Sequence, residues 1–230
     1  MPGPGRIARD TRVMAVHRLR VLVESTPKKV FVAALDWPGL ARSGKDERLA
    51  VESLLAHLSR YAVAAGIAGE PFPVDDVEVE VVERHEGGSA TAFGVPSVKG
   101  DADRLPVDAA EARRLAALVR ASWAVFDEAA AAAPEELRTG PRGGGRTTSR
   151  IVGHVNDADG GYAQVMGVKA DPGATDPVLA RRAAMLDVLG APSDGSPIAG
   201  KRWTPRYAAR RIAWHALDHA WEIEDRSEPA

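Results

Sequence analysis

Hydrophobic periodicity is mixed over the first hundred residues and helical throughout beyond them, and that division limits the folds open to the chain. Before it, Leu19, Val21 and Val23 alternate with Arg18 and Arg20, and Val77, Val79 and Val81 alternate with Asp76, Glu78 and Glu80. Period-2 alternation sends successive side chains to opposite faces, so each stretch predicts a strand with one buried face. Residues 30–35 form a continuous apolar run closed by Asp36-Trp37-Pro38-Gly39, punctuation that a helix cannot cross. With the turn residues Thr26-Pro27-Lys28-Lys29 before it, this run predicts a hairpin with the first strand. From Asp46 the spacing becomes helical: Ala50, Leu54, Leu58, Tyr61, Ala62 and Ala65 make one stripe that ends at Gly66.

Residues 94–107 carry Gly, Pro and Asp without a period and read as a linker. Beyond them the signal is helical throughout. Asp108 followed by Glu111 resembles a capping box, and Ala112, Leu115, Ala116, Val119, Trp123 and Phe126 form an inward stripe. Residues 137–146 are a Gly-rich basic loop, and a further helix starts at Thr147 or Thr148. Asp176 before Pro177 and Thr204 before Pro205 each place a capping side chain ahead of a proline at the first helical position. The expected class is α+β: a small α/β unit over 1–93, a linker over 94–107 and a four-helix bundle over 108–226.

Composition narrows the chemistry. The chain of 230 residues has no cysteine, so disulfides, thiolate nucleophiles and Cys-ligated metals are excluded. Thirty Lys and Arg against 32 Asp and Glu leave a formal charge of −2, which offers no global basic field for a nucleic acid or an anionic membrane. The sequence shows neither a membrane-spanning run nor a secretory h-region in its opening MPGPGRIARD, and a cytoplasmic location is expected.

Three of the six histidines carry the main functional signal. In Trp203–Arg226, the inward positions Ala208, Ile212, Ala216 and Ile223 are shared by His215 and His219, which lie four apart and therefore one turn above each other. The helix before it repeats the pattern, with His154 inside the stripe of Ile151, Val155, Ala158 and Val165. Imidazoles in apolar stripes need partners, because an unsatisfied buried polar group costs about 1–3 kcal/mol. Two explanations fit: hydrogen-bonded core histidines, or a divalent ion held by three neutral imidazoles with a position left open.

The second half, over about 108–226, resembles the DinB-like four-helix bundles through His154 within RIVGHVNDADGGY and the H-x-x-D-H helix HALDH at 215–219. That resemblance implies that His154, His215 and His219 ligate a divalent metal, zinc first and nickel second. It also implies a thiol-dependent transferase or isomerase using mycothiol or another low-molecular-weight thiol. The first half, through VFVAALDWPGLARSGKDERLAVESLLAHL at 30–58, resembles the HicB-like fold, which occurs as an antitoxin partner. Antitoxins normally continue into a DNA-binding element, whereas this chain continues into the helical half. The first half is therefore read as an accessory, packing or oligomerisation module, and a homodimer is one assembly this allows.

With no cysteine in the chain, a thiol nucleophile has to come from outside. Asp218, beside His219, is the candidate catalytic residue, placed to orient an imidazole N–H. Arg142 and Arg146, flanking Gly143-Gly144-Gly145, are the candidate contacts for an anionic thiol cofactor or a substrate carboxylate, the alternative being a flexible basic connection. Asp157, Tyr162 and Glu222 lie near enough in sequence to reach the same site, and Trp203, Trp214 and Trp221 read as packing, one of them as a wall. His17, His57 and His85 show no convergent pattern. Three functions follow for a small-molecule substrate site: a thiol-using transferase or isomerase, a metal-dependent hydrolase, or a non-catalytic metal-containing protein whose first half binds a partner.

Overall fold

The computed structural model describes residues 16–139, 146–169, 171 and 173–227. Alternation in the first half becomes a four-stranded sheet of order β3-β2-β1-β4, built from β1 (His17–Ser25), β2 (Val30–Ala34), β3 (Ala41–Gly44) and β4 (Val77–Glu86). β1 and β2 form the expected antiparallel hairpin, with Val21 opposite Ala34 and Val23 opposite Val32. β3 extends it antiparallel, Ala33 facing Ala41. The short ARSG sequence of β3 carries no alternation, so sequence periodicity alone could not place it. β4 returns parallel to β1, His17 opposite Val77, with a register shift between Val21 and Leu22.

A parallel return requires a crossover, supplied by α1 (Glu47–Leu55) and α2 (Leu58–Ile67). The sequence predicts one continuous helix here. The break falls at His57, whose Nδ1–H donates to the Ser53 carbonyl at 2.7 Å, while its backbone N–H turns to Leu54 at 3.0 Å. The side chain has taken the acceptor that the next α-helical hydrogen bond would use. After a short α3 (Ser89–Phe93), the helical half comprises α4 (Ala109–Ala132), α5 (Thr148–Met166), α6 (Pro177–Leu189) and α7 (Pro205–Ser227). Asp108 caps α4 by accepting from Ala110 and Glu111, Thr147 caps α5 and Asp176 caps α6. Glu111 does not complete a capping box; it turns instead to Arg206 at 2.7 Å.

One hydrophobic core runs through both halves: Val21, Val32, Leu54 and Tyr61 belong to the same cluster as Val119, Ile151, Ile212 and Leu217. The linker expected at 94–107 is tied down rather than free. Glu24, buried at 1% exposure on the second face of the sheet, accepts from Ser97 N–H at 2.9 Å and Val98 N–H at 2.6 Å. Arg210 of α7 makes a two-bond ion pair with buried Asp103, at 2.9 and 2.6 Å. Glu83 accepts from the Asp101 and Ala102 N–H groups, both at 2.8 Å, and from His85 Nε2 at 2.8 Å.

The tightest joint between the halves is at Gly39. Its φ of +100° is a region that side chains disfavour, and a Cβ there would lie 2.8 Å from Leu217 and 3.1 Å from Ala213 of α7. The preceding Pro38 carbonyl accepts from the Tyr61 hydroxyl at 2.8 Å, which fixes the turn from beneath.

Gly39→Ala should lower stability by about 2 kcal/mol through backbone strain and overpacking; chemical denaturation that finds no loss would contradict this contact. For Glu83, burial opposes ionisation, but the His85, Ala102 and Asp101 donors outweigh it and hold the carboxyl below its ordinary 4.5. Its contribution to stability is therefore complete above that value and is lost as the pH falls through the lower folded value. Glu83→Gln should flatten the acid limb of a stability-against-pH curve, and a limb parallel to wild type would refute the clamp.

Candidate metal centre

α5 and α7 bring the three predicted histidines together. The ring centroids of His154, His215 and His219 lie 5.1, 5.0 and 4.7 Å apart, and one nitrogen from each falls within 4.8 Å of the others, an arrangement that could hold a metal ion. The Nε2 atoms of His154 and His215 are 3.2 Å apart. Two nitrogens on a tetrahedral ion with bonds near 2.0–2.1 Å would be separated by about 3.3 Å.

The expected apolar stripe of α5 is displaced from the one observed. Buried positions run through Ile151, Val155, Asp159, Tyr162 and Met166, so His154 lies at the margin and is exposed. His215 and His219, at 6% and 9% exposure, are buried on α7. The centre is thus enclosed on the α7 side and open on the α5 side. Asp159 enters the stripe because Arg182 of α6 pairs with it at 3.1 Å and with Asp127 of α4 at 2.8 Å.

The electrostatics favour the neutral form of His215 and His154. Burial, followed by the nearby His219, Arg211 and His154, pushes His215 down to about 2. His154, though exposed as a residue, is lowered too, first by partial desolvation of its ring against those of His215 and His219, then by the charges of His219 and Arg146. His215 Nδ1 is buried with no hydrogen-bond partner among the described residues. A histidine kept in a core for hydrogen bonding would bond a carbonyl or carboxylate, yet the polar contact of His215 is with another imidazole. That donor chemistry fits a cation.

Glu222, one turn beyond His219, does what Asp218 was expected to do. Its Oε2 accepts from His219 Nδ1 at 2.8 Å, which turns the Nε2 lone pair toward the other rings. Its other oxygen accepts from Arg226 Nη1 at 2.7 Å, and Arg146 Nη1 lies 3.5 Å from Oε2. Burial opposes ionisation of Glu222, but His219, Arg226 and Arg146 outweigh it and hold the carboxyl down at about 2. Asp218 instead pairs with Arg42 of β3 at 2.9 Å, on the neighbouring face of α7. The position of Glu222, three residues after His219, was the available signal: i and i+3 share a helix face.

Of the two candidate cofactor contacts, Arg146 is half-exposed and places one Nη 3.5 Å from Glu222, and Arg142 lies outside the described residues, with Gly143-Gly144-Gly145. Tyr162 approaches the centre, its ring 5.7 Å from His215, and packs at a tilt against Trp203, centroids 5.1 Å apart. Trp203 therefore joins the wall. Trp214 packs edge-on against Phe31 of β2, and Trp221 lies beneath Arg42 and Arg60. His17, His57 and His85 stand away from the centre, on β1, at the start of α2 and on β4. Asp157 is exposed on α5. Among the described residues no helix is long and apolar enough to cross a membrane. No family model matches the chain, and no curated protein and no solved structure matches it.

Glu222→Ala should weaken divalent-ion binding about 10- to 100-fold, and Asp218→Asn by no more than about twofold, because only the former supports a ligand ring. Competition against a chromophoric chelator measures both, and equal losses would remove the distinction drawn here.

Proposed function

We propose that the protein is an enzyme in which His154, His215 and His219 hold a divalent cation, zinc first and nickel second, and act on a small electrophilic substrate with a low-molecular-weight thiol such as mycothiol. The observation that carries this reading is the convergence of three imidazole nitrogens on one point, with His215 tied to no carbonyl or carboxylate. When bound, such an ion lowers the pKa of a coordinated thiol or water and polarises a carbonyl. Neutral His215 offers its lone pair without first losing a proton. Glu222 keeps the proton of His219 on Nδ1 and fixes the ring's orientation, while Arg226 and Arg146 hold Glu222 ionised. Tyr162 and Trp203 shield the His215 side from water, and exposed His154 leaves the α5 side accessible to a ligand. The chain has no thiol of its own, so thiol chemistry requires an external one.

A metal-dependent hydrolase on the same residues is the second reading, favoured by the exposure of His154, through which water has access. Turnover that persists without thiol would select it. Resemblance to DinB-like bundles supports the transferase reading, and resemblance of the first half to the HicB-like fold supports a packing or assembly role for the sheet. That second role is consistent with the sheet lying against α7, the helix that carries two of the proposed ligands.

Elemental analysis of the purified protein should find about one divalent ion per chain, and His215→Ala or His154→Ala should lose it. Mycothiol should raise the melting temperature of the metal-loaded protein but not of the metal-free protein. An equal shift in both states would detach the thiol from the metal, and metal retained after either substitution would refute the ligand set.

A further inference from the structure

Three of the four arginines on α7 are matched with a carboxylate among the described residues, and one is not. Arg206 meets Glu111 at 2.7 Å, Arg210 meets Asp103 at 2.6 Å and Arg226 meets Glu222 at 2.7 Å. Arg211 has no carboxylate within ion-pair distance among the described residues, and its Nη1 is buried without a hydrogen bond. Its guanidinium lies between two rings, 4.8 Å from the centroid of Trp214 and 5.4 Å from that of Tyr162. Aromatic faces attract the positive charge, but they offer no acceptor to the N–H groups in the guanidinium plane. Those donors point along the plane, the direction from which a planar acceptor would approach.

The place is also right for a ligand of the metal centre. Arg211 is one turn before His215 on α7, and Tyr162 neighbours both, with its ring 5.7 Å from that of His215. Arg211 is only partly buried: its Nη1 is enclosed, so the edge of the fork open to a ligand is the one that carries Nε and Nη2. Trp203, packed against Tyr162, extends the apolar wall beside it.

We propose that Arg211 docks the carboxylate of a small anionic ligand whose other end reaches the three-histidine centre, an inference that rests on the metal reading above. A carboxylate matches the guanidinium fork in two parallel hydrogen bonds, and the flanking rings hold that fork in one plane. Arg211 thereby sets specificity for acidic over neutral ligands, a role that the sequence had suggested for Arg142 and Arg146.

The test titrates 3-mercaptopropionate and its uncharged analogue 3-mercaptopropanol into the full-length protein. Cobalt(II)-loaded samples are followed by thiolate-to-cobalt absorption, and metal-free samples by tryptophan fluorescence. The loaded protein should bind the acid at least about 10-fold more tightly than the alcohol. Arg211→Gln should erase that preference while leaving cobalt stoichiometry and mercaptopropanol affinity unchanged, and Arg211→Lys should recover only part of it. In the metal-free protein only the acid should bind, and only with Arg211 present. A preference that survives in Arg211→Gln would put the carboxylate elsewhere, on the ion itself for example, and overturn the proposal, as would equal affinity of the unaltered protein for both thiols. If Arg211→Gln does not fold, full preference in Arg211→Lys overturns it instead. Cobalt that fails to bind the unaltered protein would defeat the metal reading alone, and the metal-free titration would then decide the role of Arg211.

Discussion

Helix α7 is buried along most of its length, and charge buried on such a helix is costly wherever it lacks a partner. That constraint organises the molecule. Arg210 requires Asp103, which pins the connecting stretch onto α7, while Glu24 holds the same stretch to the sheet. Arg226 requires Glu222, which is thereby positioned for His219. Asp218 requires Arg42, which holds the sheet to the helix. These ion pairs do not act mainly as sources of stability, since pairing roughly offsets the cost of leaving water. They specify which face of α7 meets which neighbour.

Two adjacent faces of the same helix therefore have different tasks. His215, His219, Glu222 and Arg226 follow one helical line toward α5. Trp214, Asp218, Trp221 and Asp225 follow the next line, one residue earlier each time, toward the sheet and α2. The rotation of α7 about its axis is set by the second line, and the position of the imidazoles is set by the first. A rigid helix makes the two inseparable.

Much of this was legible in the chain. Alternation revealed β1 and β4, Pro38-Gly39 marked the turn after β2, and capping residues marked the starts of α4, α5 and α6. The three histidines were legible because i, i+4 spacing on one helix and a single imidazole on another can converge only if the helices pack. Other features were not, for definite reasons. β3 is too short to show a period, and the interruption at His57 comes from a side chain competing for a carbonyl, which no apolar pattern records. Asp218 drew attention through its adjacency to His219, but adjacent helical residues point about 100° apart, and Glu222 at i+3 had the better geometry. His154 looked buried because its neighbours are apolar, whereas its own direction lies just off their line. Arg211 could not be singled out among four arginines until the carboxylates of the other three were known.

Gly39 gives the arrangement its last property. The backbone of the turn after β2 rests directly on Ala213 and Leu217, with no side chain between, two residues on either side of His215. A hinge in that position has no slack: displacement of the hairpin would be passed to the helix as a tilt, not absorbed by a shifting rotamer. The sheet thus works as a splint for the imidazole-bearing segment, and deleting the first half would strip α7 of the brace that fixes its angle.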